Sequence, residues 1–281
     1  MANIQVVTDS ACDLTPATAE EHDIIVVPLT IRFGTEELVD VVELSTKEFW
    51  DRVVTGPDMP ATAAPSPGAF QEAFERAAST GHDGVLCVTL SSGLSATYQA
   101  ACTAAAAVAS TVPVRVIDTQ SVTMGQGLLA LAAADLAARG DGLDAMAGAI
   151  DAMRARTHVY GVLGGLDYLK RGGRIGGAAH LVGSLLSIKP VVEVRDGKVE
   201  VESKQRTRAR SLQYLANKAL GAGAIERLAV ANGAAPDIDV VLELVRQADP
   251  VVPLVVGDLG PVVGSHTGPA TVGVCFISAP S

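Results

Sequence analysis

Aromatic side chains are scarce in this chain: five Phe, four Tyr and one Trp among 281 residues, or 4%. Ala, Val and Leu must therefore fill the interior. Paired cysteine spacing is missing too. Cys12, Cys87, Cys102 and Cys275 stand apart, which offers neither a zinc site nor a redox dithiol and fits free thiols in a reducing cytoplasm. The opening MANIQVVTDS lacks a basic region followed by a long apolar run, so it reads as a first strand and not as a signal peptide. No Gly-x-x-x-x-Gly-Lys-Ser/Thr nucleotide loop occurs. Cations are outnumbered: 21 Lys and Arg against 31 Asp and Glu give −10, which repels phosphate backbones and excludes nucleic acid as the expected partner. Charge is absent altogether from Gly84 to Val114. That run contains Ser91-Ser92-Gly93 and Pro113 and is dominated by Ala, Ser and Thr, so it predicts a strand, a turn and a buried Ala-rich helix, with no transmembrane segment.

What is present is apolar material, 48% of the chain, enough for a substantial core. At this length two α/β domains are the natural division. Short β-branched runs alternate with Ala/Leu-rich segments, the pattern of strands and helices around a mainly parallel sheet. Ile4–Thr8, Ile24–Thr30, Gly84–Leu90 and Val114–Asp118 read as strands. Ser45-x-x-Glu48 is a capping box, and Thr15-Pro16 and Ser66-Pro67 open further helices. Residues 55–65 read as a loop, and Ser95–Ala109, Met124–Arg139 and Leu143–Arg156 as helices. From His158 the texture turns Gly-rich and basic. Asp196-Gly197 between Lys189–Arg195 and Lys198–Lys204 signals a type I′ hairpin, which has no place in a purely parallel sheet. Helix Thr207–Leu220, strand Arg227–Ala231, helix Asp237–Gln247 and strand Thr271–Ile277 complete a second layer. The expected fold is α/β with two domains: a parallel-sheet, Rossmann-like unit over 1–157 and a mixed-sheet unit with the hairpin over 158–281.

Between Lys170 and Arg210 ten cations face four acidic residues, a local +6 on an acidic chain. Most of these side chains fit a solvated face; together they also suit a docking patch for an anionic partner. Four polar loops stand out: 8–10, 62–68, 91–95 and 264–269, the last read as an irregular loop around His266. Ser and Thr before helices are usually caps, and Gly-Pro loops are usually turns. Hydroxyls and a histidine converging at the carboxyl ends of strands would nevertheless suit a carboxylate or phosphate.

In order along the chain stand VTDSACDL at 6–13, Thr-x-x-Pro-Ser-Pro-Gly at 62–68, LSSGLSATYQAA at 90–101 and VIDTQSVTMGQG at 116–127. LDYLKRGGRIGG at 166–177, SLLSIKPVVEVRDGKV at 184–199, KQRTR at 204–208 and SHTGP at 265–269 follow. Taken together these strings resemble the DegV family of bacterial fatty-acid-binding proteins. That resemblance implies a DegV-like two-domain fold with a lipid pocket whose carboxylate end lies at the domain junction. It implies a long-chain fatty acid as ligand, with no cofactor and no metal. Thr62, Ser91 or Ser92 with Gly93, and His266 with Thr267 match the positions that contact the carboxylate. Arg174 and Arg206 match positions for partner or phosphate contact. Some family members carry the acyl substrate for an ATP-dependent fatty acid kinase, so the resemblance also implies a non-catalytic role beside such a partner.

Departures from the family pattern are Ala63-Ala64 for Ser-Gln, Ala96 for Gly, and Ala270-Thr271 for Gly-Ala, which bear on loop shape and chain preference. Two enzyme readings remain open. A serine acyl hydrolase or transferase would use Ser95, Asp258 and His266, although Gly93-Leu94-Ser95-Ala96-Thr97 lacks the second glycine of the nucleophile elbow. A dinucleotide oxidoreductase would rest on Gly125-Gln126-Gly127 alone, several residues past its strand.

Overall fold

The computed structural model describes residues 1–181, 188–247 and 252–280. Residues 184–187, which begin the SLLSIKPVVEVRDGKV string, lie outside the described residues. The chain runs β1 (Ile4–Asp9), α1 (Pro16–Glu21), β2 (Ile24–Val27), β3 (Thr30–Phe33), β4 (Glu36–Val39), α2 (Thr46–Thr55), β5 (Ala61–Ala63) and α3 (Pro67–Ser79). It continues with β6 (Gly84–Thr89), α4 (Thr97–Ala107), β7 (Val114–Asp118), α5 (Met124–Ala138) and α6 (Leu143–Arg154). After these come β8 (Thr157–Val162), α7 (Asp167–Arg171), β9 (Lys189–Arg195), β10 (Lys198–Gln205) and α8 (Arg208–Leu220). Last are β11 (Ile225–Gly233), α9 (Ile238–Gln247), β12 (Leu254–Asp258), α10 (Pro261–Thr267) and β13 (Thr271–Ser278).

Strands β2-β1-β6-β7 form a parallel sheet, and β10-β9-β8-β13-β11-β12 a mixed one. The fold is thus α/β, with the expected parallel and mixed sheets. Every strand of the mixed sheet follows residue 156, yet the interior does not divide there. One continuous core joins Val6 and Leu86 of the parallel sheet to Val159, Ala231 and Cys275 of the mixed sheet. The link is α5, which lies between the sheets and buries 12 of its 15 residues, so it has no water-facing stripe. Its glycines serve this packing. A Cβ on Gly125 would fall 2.3 Å from Val159, and one on Gly127 2.6 Å from the Cys12 carbonyl. Among the described residues no helix is long and apolar enough to cross a membrane.

Local signals act as expected in several places. Ser45 and Glu48 form a reciprocal capping box on α2. Asp196 and Gly197 both take positive φ, 49° and 74°, as a type I′ turn requires. Three expectations are corrected. Ile24–Thr30 is not one strand: Pro28, which lacks an N–H, separates β2 from β3, and β3 leaves the parallel sheet. Residues 55–65 are not all loop, because β5 pairs with β3 and completes a third sheet, β4-β3-β5. Residues 264–267 are helical, the end of a short, buried α10 that opens at Gly260-Pro261. Strand β12 and helix α7 had no counterpart in the sequence reading.

Candidate functional site

Strand β5 places Thr62 opposite Ile31, and α10 brings His266 to it across 204 residues of sequence; Thr62 Oγ1 and His266 Nε2 lie 2.9 Å apart. Small residues make the approach possible. A Cβ on Gly264 would sit 2.5 Å from Phe49, so α10 settles onto α2 only because that position is bare. Trp50 Nε1 donates to the Leu259 carbonyl at 2.9 Å and fixes the entry to α10. Gly172, just after α7, leaves room for the imidazole, since a Cβ there would meet His266 Nδ1 at 2.2 Å.

Burial, with a smaller contribution from the positive Arg174, pushes the His266 pKa down to about 4. The ring is therefore neutral near pH 7 and carries one N–H. Nδ1 is buried with no hydrogen-bond partner among the described residues. A bare lone pair is tolerated better than a buried N–H without an acceptor, so the proton is assigned to Nε2 by this argument. Nε2–H then donates to Thr62 Oγ1, and the hydroxyl hydrogen of Thr62 is left for an acceptor in the cavity. Arg174 is held beside this pair, with Nε donating to the Leu94 carbonyl at 2.9 Å and Nη1 to the Gly172 carbonyl at 2.6 Å.

These groups border a cavity of about 70 Å³ between the two larger sheets, with Leu29, Leu90, Leu94 and Val262 as apolar walls and Ser95 and Thr267 on its lining. A second cavity of about 70 Å³ adjoins it along Val122, Leu169, Val199, Val263 and Thr267, which line both. It extends over the mixed sheet, past Val159, Gly161, Val192 and Gly273, and is almost wholly apolar. The arrangement offers hydroxyl, imidazole and guanidinium groups at one end and an aliphatic slot at the other. It suits an amphiphile with an anionic head.

Not every expected site residue joins this cluster. Thr62, Arg174, His266 and Thr267 line the first cavity, although Thr267 Oγ1 donates back to the Val263 carbonyl at 3.1 Å. Ser91, Ser92 and Gly93 are not on that lining. Ser91 Oγ donates to the Gly197 carbonyl at 2.7 Å, and a Cβ on Gly93 would lie 2.6 Å from the same oxygen, so these residues seat the tip of the β9–β10 hairpin. Ser92 Oγ donates to Asp118. Ser95 is the serine of this loop that reaches the cavity, a position the sequence had raised only for a nucleophile. Its Oγ is 2.8 Å from Thr97 Oγ1, His266 is engaged with Thr62, and Asp258 is exposed on β12, so no Ser-His-Asp relay is assembled. Arg206 is exposed at the end of the hairpin, away from the cavity.

The VTDSACDL string supports the site from behind. Asp9 accepts from the Leu90 N–H at 2.9 Å, and Ser10 Oγ accepts from the Leu29 N–H at 3.0 Å. Asp13 accepts from Thr123 Oγ1 at 2.6 Å and from the Gly260 N–H at 3.0 Å, tying α5 and the entry to α10 to the end of β1. Burial raises all three carboxyls of this region, Asp13 to about 8 and Asp9 and Asp40 to about 6. Sequence spacing alone showed none of these contacts. No His, Cys, Asp and Glu cluster among the described residues could hold a metal ion.

Comparison with known proteins gives a consistent result. A family model described as an uncharacterised protein of the DegV family matches residues 3–279. A DegV domain-containing protein of Streptomyces coelicolor is 37% identical, covering 98% of this chain and 99% of that one. Among solved structures, a DegV family protein from Thermus thermophilus, described as binding fatty acid, is 32% identical with a TM-score of 0.88, covering 99% of this chain and 100% of the other. A stearic acid-binding protein from Eubacterium ventriosum is 28% identical with a TM-score of 0.89, covering 99% and 98%.

Proposed function

The chain belongs to the DegV family, and from that premise we propose that it binds a long-chain fatty acid with the carboxylate at the Thr62–His266 pair. The observation that carries this reading is the neutral imidazole fixing the Thr62 hydroxyl beside Arg174 at the polar end of an otherwise aliphatic slot. Thr62 donates its hydroxyl hydrogen to the carboxylate, Arg174 supplies the positive field, and Ser95 stands on the same wall. His266 acts through Thr62. The tail lies along Leu169, Val199 and Val263 over the mixed sheet. Burying about fourteen methylenes at about 0.8 kcal/mol each supplies roughly 11 kcal/mol of gross driving force, part of which is offset by immobilising the ligand and by parting the walls, since the two cavities of about 70 Å³ each must widen to take such a tail.

In this proposal residues 1–157 and 158–281 are two domains, with the carboxylate end of the pocket at their junction. The protein is a carrier that does no chemistry of its own. It presents the carboxylate to an ATP-dependent fatty acid kinase, with the exposed Arg206 turned to that partner. The family resemblance supports this extension, and so does the lack of a nucleotide loop in the sequence.

Native mass spectrometry of the purified protein, followed by denaturing release, tests the carrier reading. A stoichiometric fatty acid that is retained less fully in Thr62→Val supports it; no bound lipid and no uptake of added oleate or palmitate overturns it. For the extension, an ATP-dependent acyl product trapped by hydroxylamine must require both this protein and a kinase.

A further inference from the structure

Several glycines of this chain are explained by their neighbours. Gly125, Gly127, Gly172 and Gly264 each face an atom within 2.6 Å of where a Cβ would stand, and Gly197 has a positive φ. Gly161 and Gly273 are explained by neither. Both lie inside strands and outside the positive-φ set. A Cβ on Gly161 would come no closer than 3.6 Å to any other residue's atoms, and one on Gly273 no closer than 3.5 Å, both ordinary contacts. Glycine within a strand weakens it, and its presence there marks a bulge, a bend or the close approach of another group. The β8–β13 ladder runs without a register shift through this pair, which removes the bulge.

The two glycines are directly opposite one another, Gly273 with Gly161, and the row continues to Val192 on β9 and Ala231 on β11. Alternation along the strands puts this row on the face away from α8 and α9, the face shared with Val159 and Cys275. The apolar cavity opens on that face, and both glycines line it. A strip two strands wide is thereby left without side chains in the floor of the slot.

We infer that Gly161 and Gly273 are specificity-determining residues: the paired glycines form the bed on which the distal part of the acyl tail lies, and their bareness sets how long a chain the protein accepts. This rests on the fatty-acid reading of the site. A side chain at either position fills the slot beyond Val199 and Leu169 while leaving the Thr62–His266 end untouched, so it removes methylenes from the buried tail and not the carboxylate contact.

The test uses the delipidated full chain and saturated acids of 8 to 18 carbons, each titrated by calorimetry against wild type, Gly161→Val, Gly273→Val and the two Gly→Ala variants. The expected result is at least about a tenfold loss for the longest acids in the Val variants, corresponding to about two expelled methylenes, with the shortest acids within about twofold of wild type. The Ala variants show a smaller shift in the same direction and melt no lower than wild type. An unchanged chain-length profile, an equal loss at every length, or Ala variants that melt below wild type would each overturn the inference. Failure of the wild type to bind any acid sinks the parent reading instead, so the two failures are told apart.

Discussion

On one face of the mixed sheet, Tyr160, Val272, Val274 and Phe276 meet the leucines of α8 and the valines of α9 in a closed hydrophobic cluster. On the other face the same strands β8 and β13 present Gly161, Gly273 and Thr271 to a hollow. Neighbouring residues on a strand thus serve opposite purposes, because successive side chains point to opposite faces. The closed face supplies stability, and the open face gives some up to keep space. Changes on the first should therefore move the unfolding equilibrium, and changes near the second should move ligand affinity.

The largest expected effect breaks the closed face. Leu215→Ala, at a fully buried position on α8, should cost about 2–5 kcal/mol in urea unfolding while the folded fraction keeps its fatty acid affinity. A parallel fall in affinity would show that the two faces are not independent. Next comes Gly172→Ala, whose methyl displaces His266; about 1–3 kcal/mol of strain is expected, read as weaker fatty acid binding by calorimetry. Thr62→Val removes one hydroxyl without changing shape and should weaken binding by roughly tenfold, about 1.4 kcal/mol; because it also takes the acceptor from His266 Nε2–H, a small fall in melting temperature accompanies it.

A separate test sharpens the contrast through pH. Buried Asp13 holds its proton up to about pH 8 in the folded protein but releases it near 3.8 when unfolded. The folded state binds the extra proton between those values, so this contribution to stability is full below 3.8, falls as pH rises and is gone above about 8. Asp9 and Asp40, each at about 6, act with the same sign. Urea midpoints should be higher at pH 5 than at pH 8, and Asp13→Asn should narrow the difference. An equal difference in the variant would remove Asp13 from the account.

The sequence made the sheets legible where periodicity runs long and turn chemistry is specific: the β9–β10 hairpin follows from Asp196-Gly197 alone. It hid β5, three residues in a Pro- and Ala-rich stretch, because strand pairing there depends on β3 and not on local propensity. It hid α10 because Gly264-Ser265-His266-Thr267 is a poor helix by propensity, stabilised by burial against Phe49 and Trp50. Thr62, His266, Arg174 and Thr267 were named from sequence and share one cavity. Which serine faces it was not legible, since the Gly197 carbonyl that engages Ser91 is more than a hundred residues away.

Helix α5 also decides when this molecule can finish folding. As synthesis proceeds from the N-terminus, the parallel sheet emerges first and covers only half of α5. Cover for the other half comes from β11 and β13, and β13, made after every other strand here, takes a central place between β8 and β11. Until it inserts, the Ala- and Leu-rich flank of α5 stays wet and neither sheet is sealed. Folding of the early part is held open for the late part, and a nascent chain stalled before residue 271 carries an exposed apolar helix that suits chaperone capture.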